Sequence, residues 1–234
     1  MNILKYAFVD YRISKEEKSN LESLDCTVIV CPLSPLLYEA ISGHPDILIH
    51  LLNNKKVIVH KDIDFNFIQL LKNLNLEVHY SIDSLKETYP YDIILNAVNL
   101  KDYFIHNLKF TDKNLLNNLG KKKLINVNQG YTKCSTAVIK DNAIITSDNS
   151  IYQALKSEPI DVLLLPAGDI ILPGLNYGFI GGTCGSIDDK VVFYGTLEKY
   201  KYGDMVLGFL KKHQMTPFYL SDTPLIDRGS ILFL

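Results

Sequence analysis

The sequence predicts an α/β fold made of five similar units arranged as a propeller. The stretch 27–62 recurs without a gap 134 residues later, and a strand-like run at 143–146 lies 86 residues after a similar run in that stretch. These offsets are close to three and two periods of about 45 residues, a spacing typical of propellers and solenoids. The chain also starts with a strand-like segment at 5–10 and ends in four apolar residues at 231–234. We therefore expect the N-terminal strand to complete the last unit and close the ring, which would remove an exposed sheet edge.

The two copies of the repeated stretch share one order of elements. Each opens with an apolar, β-branched run that ends in proline, at Pro32 and at Pro166. Each closes with a second β-branched run that begins with Lys-Val, at Lys56 and at Lys190. The shared residues are those of strands, so we assign them to the scaffold.

Local patterns predict the other elements in chain order. Ser14, followed by two glutamates, is typical of a helix start. The stretch 62–73 has apolar residues near helical spacing, and Asp141-Asn142 separates two alternating runs as in a hairpin. We expect strands at 5–10, 27–31, 56–60, 76–80, 92–95, 103–106, 124–127, 135–139, 143–146, 161–165, 190–194, 217–220 (as the strand of the fifth unit) and 230–234. We expect helices at 14–24, 62–73, 150–157 and 197–213, and helical turns at 35–41, ended by His44-Pro45, and at 114–118.

The composition is that of a globular protein and excludes several classes of partner. Of 234 residues, 47% are hydrophobic, which is enough to build a single domain over residues 1–234. A net charge of −2 supplies no broad basic surface, so we expect neither nucleic acid nor a membrane as a partner. No apolar run approaches the ~20 residues that cross a bilayer, and no secretory signal is recognisable. The oligomeric state stays open.

Cofactor motifs are not recognisable in the sequence. It contains no GxxxxGK[ST] loop and no GxGxxG after a strand, so ATP and dinucleotides are not expected. It has no HxH, HExxH or CxxC spacing, and we therefore predict no metal site and no cofactor. The four cysteines (Cys26, Cys31, Cys134 and Cys184) are predicted to be free thiols of a cytoplasmic protein.

A loop in the first copy of the repeat holds two candidate functional groups. His44 and Asp46 lie in a Gly-His-Pro-Asp run, where the units of a propeller would face a central channel. A histidine there would serve as an acid/base group and the carboxylate would hold a substrate. The structural alternative is that His44 caps a turn and Asp46 begins a strand.

Cys184 is one of two candidate nucleophiles. It follows Gly-Gly-Thr at 181–183, and glycine allows a ligand or a backbone segment to approach closely. A nearby histidine or cation would lower the pKa of its thiol. The alternative is a small buried side chain beside a glycine bulge.

Cys134 is the second candidate nucleophile and follows a polar run between two predicted strands. Asn128, Gln129 and Lys133 in that run could face one pocket together with the thiol. Lys133 would then favour the thiolate. The alternative is an ordinary polar loop.

A charged pair precedes the last predicted strand. Asp227 and Arg228 would either bind a charged small molecule or fasten the C-terminus as an ion pair. Asp169 and the Asn176-Tyr177 pair could line the same channel.

Five units of this kind resemble the pentein superfamily, the α/β propeller of guanidino-group-modifying enzymes. The run Asn-Gln-Gly-Tyr-Thr-Lys-Cys-Ser-Thr at 128–136 is similar to an uncharacterised bacterial family with that fold. So are Tyr-Gly-Phe-Ile-Gly-Gly at 177–182 and Asp-Arg-Gly-Ser-Ile-Leu-Phe-Leu at 227–234. The resemblance covers nearly the whole chain and implies a pentein-like fold.

The resemblance also implies a set of catalytic groups that this chain matches only in part. Catalytic penteins use a histidine in an H-x-D element, acidic residues that hold the guanidinium, and a cysteine near the C-terminus. His44-Pro45-Asp46 matches H-x-D by residue type but lies in the first unit. The C-terminal cysteine is absent, and Ser230 lies in that region.

Two functions are compatible with these observations. The first is a small-molecule hydrolase or amidinotransferase-like enzyme with its ligand in the central channel. It would use Cys134 or Cys184 as nucleophile and His44 as acid/base group. The alternative is a non-catalytic pentein that acts as a ligand-binding or protein-interaction module, and a Rossmann-like domain without a ring is a third interpretation of the pattern. His44 within about 4–6 Å of either cysteine would favour the enzyme.

Overall fold

The computed structural model describes residues 5–234, which contain fifteen strands and six α-helices. The strands are β1 (Lys5–Val9), β2 (Cys26–Val30), β3 (Ile49–Leu51), β4 (Lys56–Val59), β5 (Glu77–Tyr80), β6 (Val98–Asn99), β7 (Tyr103–His106), β8 (Lys123–Asn126), β9 (Thr136–Lys140), β10 (Ala143–Thr146), β11 (Asp161–Leu164), β12 (Cys184–Ile187), β13 (Lys190–Phe193), β14 (Thr216–Tyr219) and β15 (Leu232–Phe233). The helices are α1 (Lys15–Glu22), α2 (Pro45–Leu48), α3 (Phe65–Asn73), α4 (Lys113–Asn117), α5 (Asn149–Leu155) and α6 (Gly203–Lys212). Short 3₁₀ turns lie at Glu39–Ile41, Ile180–Thr183 and Leu197–Lys199.

The strands form five three-stranded sheets with one common plan. Their strand orders are β3-β4-β5, β6-β7-β8, β9-β10-β11, β12-β13-β14 and β15-β1-β2. In every sheet the middle strand pairs antiparallel with the first strand and parallel with the third. A helix connects the two parallel strands, as a parallel pair requires a crossover. The chain is therefore an α/β fold of five ββαβ units.

The repeat seen in the sequence corresponds to equivalent strands in two of these sheets. Both β4 and β13 begin at the lysine of the Lys-Val pair, and both are middle strands. Pro32 and Pro166 follow shortly after β2 and β11, the third strands of their sheets. The shared residues thus belong to the scaffold, as predicted.

The two ends of the described chain meet in one sheet. Strand β1 pairs antiparallel with β15, with Ala7 opposite Phe233, and parallel with β2. Ile231 is 2% exposed and packs with side chains of β1 and β13. The apolar C-terminal residues are covered in this way. Within residues 5–234 the five sheets are separate, and no strand pairing makes them one closed sheet.

Helix boundaries follow their capping residues. Ser14 accepts a hydrogen bond from the Glu17 backbone, and the Glu17 side chain accepts one from the Ser14 backbone, which is a complete capping box before α1. Asp64, Asp112 and Asp148 cap α3, α4 and α5 in the same position. Helix α6 starts later than predicted, because a 3₁₀ turn occupies Leu197–Lys199.

The predicted strand at 92–95 is wrong. Asp92, Ile93, Ile94 and Leu95 are all buried, but they lie in turns, and Asn96 N donates to Ile93 O at 2.8 Å. A short apolar run is buried whatever its backbone conformation, so its pattern does not identify a strand.

Strand β14 belongs to the fourth unit and not to a fifth one as predicted. It pairs parallel with β13, with Val192 opposite Phe218. The reason is that each unit ends with the strand after its helix. Pro217 is tolerated because β14 is the edge strand of its sheet.

None of the helices between residues 5 and 234 combines the length and the apolarity needed to cross a bilayer.

The packing of the C-terminal residues on β1 predicts a large effect of Ile231→Ala. Deletion of this buried side chain should lower the free energy of unfolding by about 2–5 kcal/mol. Leu33→Ala, at a side chain that is 53% exposed, should change it by less than about 0.5 kcal/mol. Urea denaturation measures both, and equal effects would contradict the packing described here.

Three buried histidines predict a loss of stability on mild acidification. Burial lowers the pKa of His50 and His60 to about 4 and that of His106 to about 3. In the unfolded chain a histidine binds a proton near pH 6.5. The unfolded state therefore gains protons first, and the free energy of unfolding should fall as the pH drops from about 6.5 towards 4, by up to ~1.4 kcal/mol per pH unit for each histidine. Urea denaturation between pH 7 and 4.5 tests this expectation, which a flat profile would refute.

Candidate functional site

The Gly-His-Pro-Asp run starts a short helix instead of breaking one. His44 precedes α2 with an extended backbone (φ −63°, ψ 115°), and Pro45 occupies the first helical position. Proline fits there because its missing N–H has no partner in the first turn of a helix. His44 and Asp46 are 1% and 2% exposed, so this turn carries both side chains into the interior.

Cys134 reaches the same place from the segment between β8 and β9. The side chain of Asn96 connects the two segments and is itself fully buried. Its Nδ2 donates to Asp46 O at 3.1 Å and to Cys134 Sγ at 3.3 Å. Its Oδ1 accepts from the backbone N–H groups of Lys133 at 2.9 Å and Cys134 at 3.2 Å. Asn96 thereby fixes the position of the thiol relative to α2.

His44, Asp46 and Cys134 converge in this interior region. Cys134 Sγ donates to the Asp46 carboxylate, at 3.2 Å from Oδ1 and 3.1 Å from Oδ2. A ring nitrogen of His44, a carboxylate oxygen of Asp46 and Cys134 Sγ all lie within 4.8 Å of one another. Both ring nitrogens of His44 are buried without a hydrogen-bond partner in residues 5–234. The structure thus brings together three residues that the sequence proposed for one site.

The electrostatics of this cluster hold the thiol in its neutral form. Burial, and then the negative charge of Asp46, raise the pKa of Cys134 well above the ordinary value for a cysteine. A thiolate at this position needs a positive charge nearby.

Ser230 and Lys133 complete the polar contacts of Asp46. Lys133 Nζ donates to Ser230 Oγ at 2.9 Å, and this oxygen lies 2.7 Å from Asp46 Oδ2 and 2.8 Å from Gly181 O. One hydroxyl proton serves only one of those two acceptors at a time. Ser230 is fully buried and has φ +70°, an uncommon backbone conformation for a residue other than glycine.

Asp227 is a second buried carboxylate beside His44. It accepts hydrogen bonds from Phe179 N at 2.8 Å and Gly229 N at 3.0 Å, and within the described chain it forms no ion pair. Burial raises its pKa, although the positive charge of a protonated His44 would oppose that shift. A Cβ atom at Gly182 would lie 1.8 Å from Asp227 Oδ1, so this glycine makes room for the carboxylate.

A cavity of about 250 Å³ opens above the cluster. Its lining includes the polar side chains of His44, Cys134 and Asp227. Its aromatic lining consists of Tyr38, Tyr131, Tyr177 and Phe179. The ring centroid of Phe179 lies 6.2 Å from that of Tyr131 and 6.3 Å from that of Tyr177. Asn176 and Tyr177, which the sequence placed near the channel, both line this cavity.

A third buried carboxylate lies behind the aromatic lining. The hydroxyl of Tyr131 donates to Asp92 Oδ2 and lies 3.2 Å from the hydroxyl of Tyr38. Asp92 Oδ1 is buried without a partner within residues 5–234, and burial raises the pKa of this carboxyl group. Of the three buried carboxylates, Asp227 lines the cavity itself, Asp46 contacts Cys134 of the lining, and Asp92 contacts Tyr131 of the lining.

A second cavity, of about 170 Å³, lies on the other side of Asp46. Residues from the first strand of each of the five sheets line it, together with Asp46 and Lys133. Cys184 faces this cavity, donates to Ile180 O at 3.6 Å, and has its pKa raised to about 11 by burial. Cys184 therefore lines a different cavity from His44.

Four residues that the sequence proposed for the site or the channel lie outside this cluster. Asn128 is exposed. The amide of Gln129 donates to Asp148 Oδ2 at 2.9 Å and accepts from Tyr131 N at 3.1 Å. Arg228 forms an ion pair with Glu17 at 3.0 Å, and Asp169 accepts from Lys201 N at 2.6 Å.

Sequence reasoning missed Asn96 and the pair Tyr38 and Tyr131, and it named Ser230 only as the residue in the region of the absent C-terminal cysteine. Asn96 carried a signal, because it is the first polar residue after the apolar run 93–95. Ser230 carried a weaker one, as the last polar residue before an apolar terminus. The tyrosines carried none, because aromatic residues are common in cores.

Comparison with known proteins gives a family match and several similar folds. A model of a family of unknown function (DUF6873) matches residues 8–232. No curated protein sequence matches the chain.

The fold of this chain resembles the solved structures of three enzymes. DDAH from Pseudomonas aeruginosa, in complex with citrulline, is 8% identical, with 93% of this chain and 92% of that chain covered and a TM-score of 0.55. Agmatine deiminase from C. jejuni is 12% identical, with 93% and 86% covered and a TM-score of 0.58. SxtG, an amidinotransferase from Microseira wollei, is 10% identical, with 92% and 88% covered and a TM-score of 0.52. All three have the pentein fold, so the resemblance predicted from the sequence is confirmed at the level of the fold.

The contact between Cys134 and Asp46 predicts the reactivity of an Asp46→Asn variant. Removal of the charge should lower the pKa of Cys134, and alkylation of this residue at pH 8 should become faster, by about tenfold if the pKa falls by one. Mass spectrometry of the peptide that carries Cys134 measures the rate. Asp188→Asn, at an exposed carboxylate paired with Lys5, is the control. Unchanged alkylation in a folded Asp46→Asn protein would contradict the assigned contact.

Proposed function

This chain belongs to the family of unknown function DUF6873 and has the pentein fold, and on that premise we propose that it is a hydrolase or amidinotransferase-like enzyme. Its substrate would be a small molecule with a flat cationic carbon–nitrogen group, of the guanidinium or amidinium type. The observation that carries the proposal is the convergence of His44, Asp46 and Cys134 beside an aromatic-lined cavity, which His44 and Cys134 line. This meets the distance criterion set from the sequence.

The unpaired carboxylates support a cationic substrate. Buried charges in proteins are normally paired or bound to cations, because an isolated buried charge is costly. Asp227 lines the cavity without an ion pair in the described chain, and Asp92 lies behind Tyr131 with one free oxygen. The aromatic rings add favourable contacts for a flat cation. A guanidinium group would also fit the carboxylate geometry, because it donates in a planar fork.

The negative charge around Cys134 explains how a cationic substrate would activate its thiol. The thiol is neutral because burial and Asp46 disfavour the thiolate and raise its pKa. A cation that enters the cavity would offset this negative field and lower the pKa of the thiol. Activation would thus require the substrate.

In the proposed reaction Cys134 is the nucleophile and His44 is the acid/base group. His44 accepts the thiol proton as Cys134 Sγ forms a bond with the amidinium carbon, and it returns the proton to the departing amine as the carbon–nitrogen bond breaks. Water then attacks the carbon and gives a proton to His44, the carbon–sulfur bond breaks, and His44 returns that proton to the sulfur to restore the thiol. In an amidinotransferase an amine would replace the water. Catalytic hydrogen bonds are often long before substrate binds, which accommodates the spacing of up to 4.8 Å.

A ligand-binding module is the second candidate, and the neutral state of the thiol favours it. In that case Asp227 and the aromatic rings would hold a cation, and Cys134 would only pack against Asp46. The protein would bind the ligand without converting it.

Two further features extend the proposal. We propose that the five sheets form a ring around the second cavity, because the first strand of every sheet lines it.

We also propose a cytoplasmic location, which the four free and buried cysteines support.

Incubation of the full chain with a panel of guanidino compounds tests the enzyme proposal. Released amine or ammonia and a ureido product should form, and Cys134→Ser should lower the rate by about 10³-fold or more while the substrate still binds. Cys26→Ser, at a buried thiol of β2 outside the site, is the matched control. Binding without turnover, equal in wild type and Cys134→Ser, would establish the binding module. Turnover that survives in Cys134→Ser would refute the assigned nucleophile.

A further inference from the structure

We propose that His44, Asp46 and Cys134 form a zinc site whose fourth position faces the 250 Å³ cavity. This inference concerns a second occupant of these side chains and does not require the proposed enzyme activity. The spacing rules that predicted no metal site apply to ligands close in sequence. Here Asp46 and Cys134 are 88 residues apart and meet only in the fold.

The three donor atoms suit zinc in type and in spacing. Imidazole nitrogen, carboxylate oxygen and thiolate sulfur are the usual zinc ligands in proteins. At the usual bond lengths, a tetrahedral ion holds such atoms about 3.3–3.6 Å apart. The sulfur and the carboxylate oxygens lie 3.1–3.2 Å apart, and all three donors lie within 4.8 Å of one another. The donors would therefore have to move by about 1 Å at most to reach the tetrahedral spacing.

The unpaired imidazole is an independent reason to expect a ligand. His44 is 1% exposed, and neither of its ring nitrogens has a hydrogen-bond partner within residues 5–234. A buried polar group without a partner normally costs about 1–3 kcal/mol. A metal ion would bind one of these nitrogens. Asp46 forms no ion pair in the described chain, and the nearby Lys133 Nζ donates to Ser230 Oγ instead.

The residues around the three donors hold them in place. Asn96 bonds to the backbone of Asp46 and Cys134, and Ser230 bonds to Asp46 Oδ2. Such outer partners orient metal ligands and tune their affinity. Gly229 packs against His44, since a Cβ atom there would lie 2.2 Å from His44 Cβ.

Charge balance and access also agree with a divalent cation. One zinc ion would neutralise a carboxylate and a thiolate, so the ion and its three ligands together would carry no net charge. Three protein ligands with an open position are typical of catalytic zinc, whereas structural zinc has four. The cavity that His44 and Cys134 line gives access to that position.

Cobalt substitution of the full chain tests the site. After removal of metals with a chelator and dialysis, Co²⁺ should bind one ion per chain, with a sulfur-to-cobalt charge-transfer band and the intense visible bands of a tetrahedral site. Zn²⁺ should displace it. Cys134→Ser should abolish the charge-transfer band and weaken Zn²⁺ binding by at least about 100-fold, because loss of an outer partner alone costs about 10–100-fold. Cys184→Ser and Cys26→Ser should keep the band.

The outcomes separate this inference from the proposed enzyme. A folded wild-type protein without the charge-transfer band, or a band that persists in Cys134→Ser, overturns the zinc site. Turnover of a guanidino compound by chelator-treated protein would support the cysteine mechanism whatever the cobalt result. A cobalt band without turnover in either state supports the metal site and refutes the enzyme. If Cys134→Ser does not fold, His44→Gln should retain the band but bind more weakly, and an unchanged affinity would count against the site.

Discussion

The side-chain amide of Asn96 uses both of its polar atoms to join two distant segments of the chain. Its nitrogen bonds to Asp46 and Cys134, and its oxygen bonds to the backbone of Lys133 and Cys134. Because Asn96 is fully buried, each of these bonds forms without competition from water. Together with the direct contact of Cys134 Sγ with Asp46, these bonds set the distance between Cys134 and α2, on which both proposals for the site rest. Residues 93–95 are apolar and buried, and they hold the segment that includes Asn96 in the interior.

The rest of the cluster is polar and incompletely satisfied. Ser230 faces two acceptors with one proton, and His44 has no partner on either nitrogen within residues 5–234. Native interiors contain few such groups, and those that persist are concentrated at functional sites. Ser230 also holds a rare backbone conformation. The shared proton of Ser230, the unpaired imidazole of His44 and the backbone conformation of Ser230 each lower the stability of the fold. A ligand site is expected where such costs are concentrated.

The sequence predicted the units and three residues that meet in the fold, but not the surroundings of those residues. Strands and caps depend on local patterns, so Lys56 and Ser14 mark their elements correctly. His44 stood out because it lies in the loop of the repeated stretch, and Cys134 because polar groups interrupt two strand-forming segments there. Gln129 stood out for the same reason, yet its amide joins a different network through Asp148. Which polar side chains meet is decided by contacts between distant segments, and a single sequence does not contain them.

The two copies of the repeat have diverged in complementary ways. The first copy carries His44 and Asp46, and the second carries Gly178 and Ile180 at the equivalent positions. A side chain at Gly178 would place its Cβ atom 2.4 Å from Asp227 Cβ. The glycine of the second copy therefore leaves room for the side chain of Asp227. The first copy carries the polar side chains of His44 and Asp46 instead. These two differences meet in one cavity, which His44, Asp227 and Phe179 line together. The site thus arises where the repeated scaffold stops being symmetric, and a ligand that fills this cavity contacts both copies.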